Sequence, residues 1–201
     1  MRIGIIGSGV VGRALAQGLQ RHGHQVRIGT RREQVEGPPI GTPAKVAAEA
    51  DMVFLAVLGS AAVEVASALA TEIEAKVVVD TTNPLDFSSG SPALFVGHTD
   101  SLGERVQRAL PTARVVKAYN TVGNALMVDP QLPGGPPTML IAGDSEDAKT
   151  AVGDLLEATG WDVADLGGIE ASRYLEPLCL AWVSLASRTA NWNQAFKLLR
   201  G

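Results

Sequence analysis

The chain has 201 residues, 19% of them charged, and a formal net charge of −4 at pH 7. That length suits one compact domain with at most a small appendage, and the acidic balance argues against general nucleic-acid binding. The lone cysteine, Cys179, sits in the apolar run 178–182; it excludes an intrachain disulfide, fits a reducing compartment and reads as a small buried hydrophobe.

The start, Met1-Arg2-Ile3, lacks the long apolar segment and small-residue cleavage site of a signal peptide. The longest apolar stretch, residues 52–63, is short for a membrane span and holds Gly59 and Ser60. A cytoplasmic protein is the expectation.

Residues 2–6 read as a buried parallel strand, and Gly7-Ser8-Gly9-Val10-Val11-Gly12 follows at once. A helical period (Val11, Leu15, Gly18, Leu19) covers residues 10–21, and Gly23 is a plausible stop before a second strand at 25–29. A lone GxGxxG is weak; between a strand and a helix it reads as a dinucleotide-binding turn. In that reading Gly7 permits the tight turn and Gly9 lets backbone approach the pyrophosphate. Gly12 lets helix and strand pack closely, and the pyrophosphate lies on the helix N-terminus. The second strand ends in Thr30-Arg31-Arg32, where an NAD site would place an acid for the ribose 2′-hydroxyl. A hydroxyl and two guanidiniums suit a 2′-phosphate instead, which predicts NADP(H) as the cofactor.

Further strands are expected at 52–57, 76–80, 114–118, 138–142 and 162–165, and helices at 60–71, 102–110 and 146–159. Ser101 and Glu104 have capping-box spacing, and Asp144 is a candidate cap for the helix at 146. Segments 37–43 and 133–137 read as Pro/Gly-rich loops. Segment 83–97 reads as a loop that borders the site, because ligands lie outside the carboxyl ends of such strands. Residues 170–199 look helical, interrupted or restarted at Pro177. Within them Trp182, Leu185, Thr189, Trp192, Phe196 and Leu199 recur at spacings of three and four, giving an apolar face that either packs on the sheet domain or forms a dimer contact. The fold class is therefore α/β, a doubly wound Rossmann domain with a mainly parallel sheet at residues 1–168 and a short C-terminal helical extension at residues 169–201.

Hydride transfer between two rings needs stacking and exclusion of water more than a proton relay. Asn83 and Pro84, past the fourth expected strand, are candidates for the hydride site, and Ala56 and Val57 for a small-residue passage beside the cofactor. Lys117 is weighed as a proton donor, against the simpler reading of a strand lysine paired with a carboxylate; Tyr119 and Asn120 invite a similar story. Arg173 and Glu176 suit an i,i+3 surface ion pair. His22, His24 and His98 are not spaced as a ligand set, so no metal site is expected.

Taken together, the glycine motif, Thr30-Arg31-Arg32, Thr82-Asn83-Pro84-Leu85, residues 115–121 (Val-Val-Lys-Ala-Tyr-Asn-Thr), Ala142-Gly143-Asp144 and Arg173-Tyr174-Leu175-Glu176-Pro177 resemble the NADPH-dependent coenzyme F420 reductases and their bacterial relatives, the F420-dependent NADP oxidoreductases. The resemblance spans nearly the whole chain. It implies a dimeric enzyme moving hydride between the nicotinamide of NADP and C5 of a deazaflavin, F420. Membrane ferric reductases use the same kind of domain with flavin in the deazaflavin's place. Expected partners are thus a small-molecule hydride acceptor and a second copy of the chain, with no nucleic acid or membrane. A small imine or carbonyl reductase and a non-catalytic NADP(H)-sensing module are the alternatives.

Overall fold

The computed structural model describes residues 1–201. In chain order the elements are β1 (Arg2–Ile6), α1 (Val10–Arg21), β2 (Gln25–Gly29), β3 (Ile40–Gly41), α2 (Pro43–Glu49), β4 (Met52–Leu55), α3 (Gly59–Ala68) and β5 (Val77–Asp80). There follow β6 (Leu85–Asp86), β7 (Ala93–Leu94), α4 (Leu102–Ala109), β8 (Arg114–Lys117), β9 (Thr138–Gly143), α5 (Glu146–Ala158), β10 (Asp162–Asp165) and α6 (Ser172–Thr189). One 8-stranded sheet has the order β10-β9-β8-β5-β4-β1-β2-β3, and β6 and β7 form a separate hairpin.

Strand alternation divides the core between the sheet's two faces. Ile3, Ile5, Met52, Phe54, Val77 and Val79 point toward α1 and α5, whereas Ile6, Val53, Leu55 and Val78 pack with α2, α3 and α4. Strands covered on both faces must be apolar at nearly every position, and β1, β4 and β5 are. All pairings in the sheet are parallel except β8 with β9, which is antiparallel. Between β8 and β9 there is only a 3-10 turn at Asn124–Leu126 and loop, with no crossover helix to return the chain in the same direction.

Three expectations are corrected. The loop at 37–43 yields β3 and then α2, whose start is marked by Thr42 as N-cap, accepting from the Lys45 N–H at 3.3 Å, and by Pro43 in the first turn. The helix at 146 is capped by Ser145, not Asp144; Asp144 instead accepts from the Ile169 N–H at 2.8 Å. Finally, α6 passes through Pro177 without a break and stops at Thr189, where Ala190 turns left-handed at φ 51°. Residues 190–201 run back without helix. Phe196 accepts from the Thr138 N–H through its carbonyl, and its ring packs on Cys179, Trp182, Val183 and Ala186. The Trp182 indole donates to the Gln194 carbonyl, and its ring lies 5.8 Å from that of Trp192. The apolar residues expected on one helical face thus meet by the chain folding over on itself. Leu185, Trp192 and Leu199 remain largely exposed.

Candidate functional site

The strand order reverses between β1 and β4, and the loops leaving β1, β2, β4, β5 and β8 open at the same edge of the sheet, where doubly wound folds bind ligands. At the end of β1 each motif glycine has its own reason. Gly7 has φ +124°, and a Cβ there would lie 2.2 Å from the Ala56 carbonyl oxygen; at Gly12 one would lie 2.1 Å from the Gly7 carbonyl oxygen. Neither position tolerates a side chain. At Gly9 a Cβ would meet nothing within 4 Å, so the space before the first turn of α1 is open. Gly9 is the N-cap and no side chain caps the helix, which leaves its first N–H groups and positive end facing that space. The loop is braced by Arg13, which donates to the Ser8 carbonyl at 2.8 Å.

Ser8 and Thr30 share a hydroxyl hydrogen bond of 2.9 Å, tying the glycine loop to the end of β2, and Thr30 also accepts from the Arg32 N–H. Arg31 and Arg32 are exposed and belong to no ion pair, unlike Arg2, Arg27 and Arg173. An open helix N-terminus beside two unpaired guanidiniums fits the diphosphate and the 2′-phosphate of NADP(H).

Along the edge from β1 toward β8 the remaining predicted residues follow in order. Ala56 donates its N–H to the Ile6 carbonyl, and Ala56 and Val57 wall Gly7. Next comes Gly59, where a Cβ would lie 1.9 Å from the Asn83 carbonyl oxygen; this glycine, noted in the sequence only as an interruption of an apolar stretch, marks where the start of α3 meets the loop after β5. Asn83 donates to the Asn120 carbonyl at 2.9 Å and accepts from the Asn120 side chain at 3.1 Å. Asn120 in turn donates to the Leu175 carbonyl in α6 at 2.9 Å. The structure thus brings Gly7, Ala56, Val57, Asn83 and α6 into one row, with Thr30, Arg31 and Arg32 at its other end. Pro84 opens the segment into the β6–β7 hairpin, its carbonyl accepting from the Phe95 N–H. Val10 is exposed beside Gly9, and Val11 packs against the core.

Lys117 takes the simpler of its two readings. It is fully buried, 2.9 Å from Asp80 Oδ2 and 3.0 Å from Glu176 Oε1. Burial alone would lower its pKa, but the pull of the two carboxylates prevails and holds it above the ordinary lysine range. The surface pair expected between Arg173 and Glu176 is absent: Arg173 bonds Glu104, and Glu176 turns inward to accept from the Leu102 and Gly103 N–H groups, both at 2.9 Å. Asp80 and Lys117 are cross-strand partners on one sheet face, so register and alternation could have revealed that pair. Glu176, far away in sequence, carried no such signal. Tyr119, at the end of β8, has φ 60° and a fully buried ring 5.9 Å from that of Phe54, a packing role. Burial pushes the Cys179 thiol up to about 12, so it is not a nucleophile at neutral pH.

A Rossmann sheet with this edge defines a dinucleotide-binding protein. Residues 2–84 match the family described as NADP oxidoreductase coenzyme F420-dependent. The chain is 30% identical to an F420-dependent NADP reductase of Methanocaldococcus jannaschii, with 89% of each covered. It is 37% identical to a solved Arthrobacter sp. FB24 protein described as a candidate F420-dependent NADP reductase, at a TM-score of 0.94 over the whole of both chains. It is also 28% identical to the rat metalloreductase STEAP3, spanning 36% of that protein's length. The chain belongs to the F420-dependent NADP reductase family and is an NADP-dependent oxidoreductase. No helix is long and apolar enough to cross a membrane.

Proposed function

We propose that the protein transfers hydride between the nicotinamide of NADP(H) and a deazaflavin acceptor of the F420 type. The observation that carries the reading is the row from the unpaired Arg31 and Arg32, past the open N-terminus of α1, to Asn83, which Asn120 links to α6. Arg31, Arg32 and Thr30 hold the 2′-phosphate, the N-terminus of α1 holds the diphosphate, and Ala56, Val57, Asn83 and Pro84 receive the nicotinamide half. When bound, NADPH supplies the hydride; the chain's task is to orient the ring and keep water out. The names of the M. jannaschii and Arthrobacter relatives support a deazaflavin over a flavin. In this reading residues 1–168 form the NADP-binding domain and residues 169–201 its cover. A homodimer through the exposed Leu185 and Trp192 and a cytoplasmic setting complete the proposal.

Anaerobic stopped-flow mixing of enzyme and NADPH with F420, FMN, FAD or ferric chelate tests it. The reading expects rapid NADPH oxidation with the deazaflavin and much slower oxidation with the rest. Preference for FMN or FAD would reassign the acceptor, and oxidation by none would favour an NADP(H) sensor.

A further inference from the structure

The buried charge cluster is more than a core ion pair, because one of its carboxylates reaches the cofactor edge. Asp80 ends β5 with its two oxygens divided: Oδ2 takes the Lys117 ammonium at 2.9 Å, and Oδ1 accepts from both the Thr82 N–H at 2.9 Å and the Thr82 hydroxyl at 2.7 Å. Thr82 is itself buried and precedes Asn83 and Pro84. Lys117 also bonds Glu176 of α6, whose carboxylate accepts two N–H groups at the start of α4. Two carboxylates and one ammonium leave a net negative charge in the interior, which the positive end of α4 offsets. The cluster therefore links β5, β8, α4 and α6 and hands its constraint to the backbone turn at Thr82.

We infer that Asp80 is a positioning residue for the nicotinamide end of the site: held by Lys117 and Glu176, it fixes the Thr82-Asn83-Pro84 turn in the orientation that receives the ring. The inference rests on the nicotinamide placement proposed above. It makes α6 part of the site's rigidity, since Glu176 and the Leu175 carbonyl tie that helix to the same turn.

Calorimetry with two ligands tests it: NADPH, and adenosine 2′,5′-bisphosphate, which carries the 2′-phosphate but no nicotinamide. Thr82→Val removes the hydroxyl donor at nearly constant shape and leaves the charges paired. It should weaken NADPH about threefold to tenfold, because binding must then order a turn that this hydrogen bond no longer holds, a cost bounded by the worth of one hydrogen bond, while the bisphosphate is unaffected, and Thr82→Ser should restore the wild-type ratio. The combined Asp80→Ala and Lys117→Met change removes the anchor with the cluster's net charge kept. If that protein folds, adding Thr82→Val to it should cost nothing further. Equal losses for both ligands, no loss for either, or additive effects would overturn the inference. Failure of the wild type to bind the bisphosphate would instead overturn the NADP reading, and this inference with it.

Discussion

Replacing Gly9 with valine separates folding from cofactor binding. At this N-cap the backbone has φ −71° and ψ −176°, an extended conformation that a β-branched residue adopts readily. A Cβ there meets no atom within 4 Å, so the folded chain should lose no more than about 0.5 kcal/mol, as at a surface site. The same space is where the diphosphate would meet the first N–H groups of α1. Losing about two hydrogen bonds to a charged group, each worth about 1.5–3 kcal/mol, weakens binding by about two to four orders of magnitude. Titration calorimetry with NADPH, read beside circular dichroism and thermal melting, measures both effects. A folded Gly9→Val protein that binds NADPH within about threefold of wild type would refute the assignment of the glycine loop. As a contrast, Gly12→Ala should disrupt the fold itself, because its Cβ would collide with the Gly7 carbonyl.

Wild-type protein should bind NADPH more tightly than NADH. Arg31→Ala with Arg32→Ala should erase the preference at about 1.5–3 kcal/mol per phosphate contact while leaving NADH affinity alone, and equal wild-type affinities would dismiss these arginines. Phe196→Glu places a charge in the cluster around Trp182 and should lower the melting temperature by roughly 5 °C, for about 2 kcal/mol. Trp192→Glu, at a half-exposed ring, should leave the melting temperature nearly unchanged and, if the chain dimerises there, give a monomer by light scattering. Stability should hold at neutral pH and fall in acid. Burial works to raise the pKa of Asp100, yet the guanidiniums of Arg105 and Arg108 overcome it and hold the carboxyl at about 2, and Arg2 holds Asp51 at about 2. A carboxylate depressed from 3.8 contributes above its unfolded pKa and loses that contribution between about pH 4 and pH 2, by an amount that solvent screening keeps small at these surface pairs. Melting temperatures that rise as the pH falls from about 4 to 2 would contradict the sign.

Much of the edge was legible because it is local. A strand, three glycines and a helix occupy residues 2–21, and Thr30, Arg31 and Arg32, the residues proposed to hold the 2′-phosphate, follow within a dozen more. What stayed hidden depends on contacts distant in sequence or on backbone turns without a marker residue. Glu176 looks like any helical surface acid until α6 is laid against α4, more than 70 residues earlier. The tail kept a helical period past Thr189, but the chain reverses at a left-handed alanine, which composition does not announce. For α2 the signal was present in Thr42-Pro43, an N-cap followed by proline, and was masked by the neighbouring glycines and prolines. The short β6–β7 hairpin, two residues per strand, falls below any periodicity.

Deuterium in both positions on the reactive nicotinamide carbon of NADPH tests the central claim most directly. In an anaerobic single turnover with F420, the account predicts that the label passes into C5 of the reduced deazaflavin without exchange with solvent. NADPH that binds yet keeps its deuterium with every acceptor offered would contradict it.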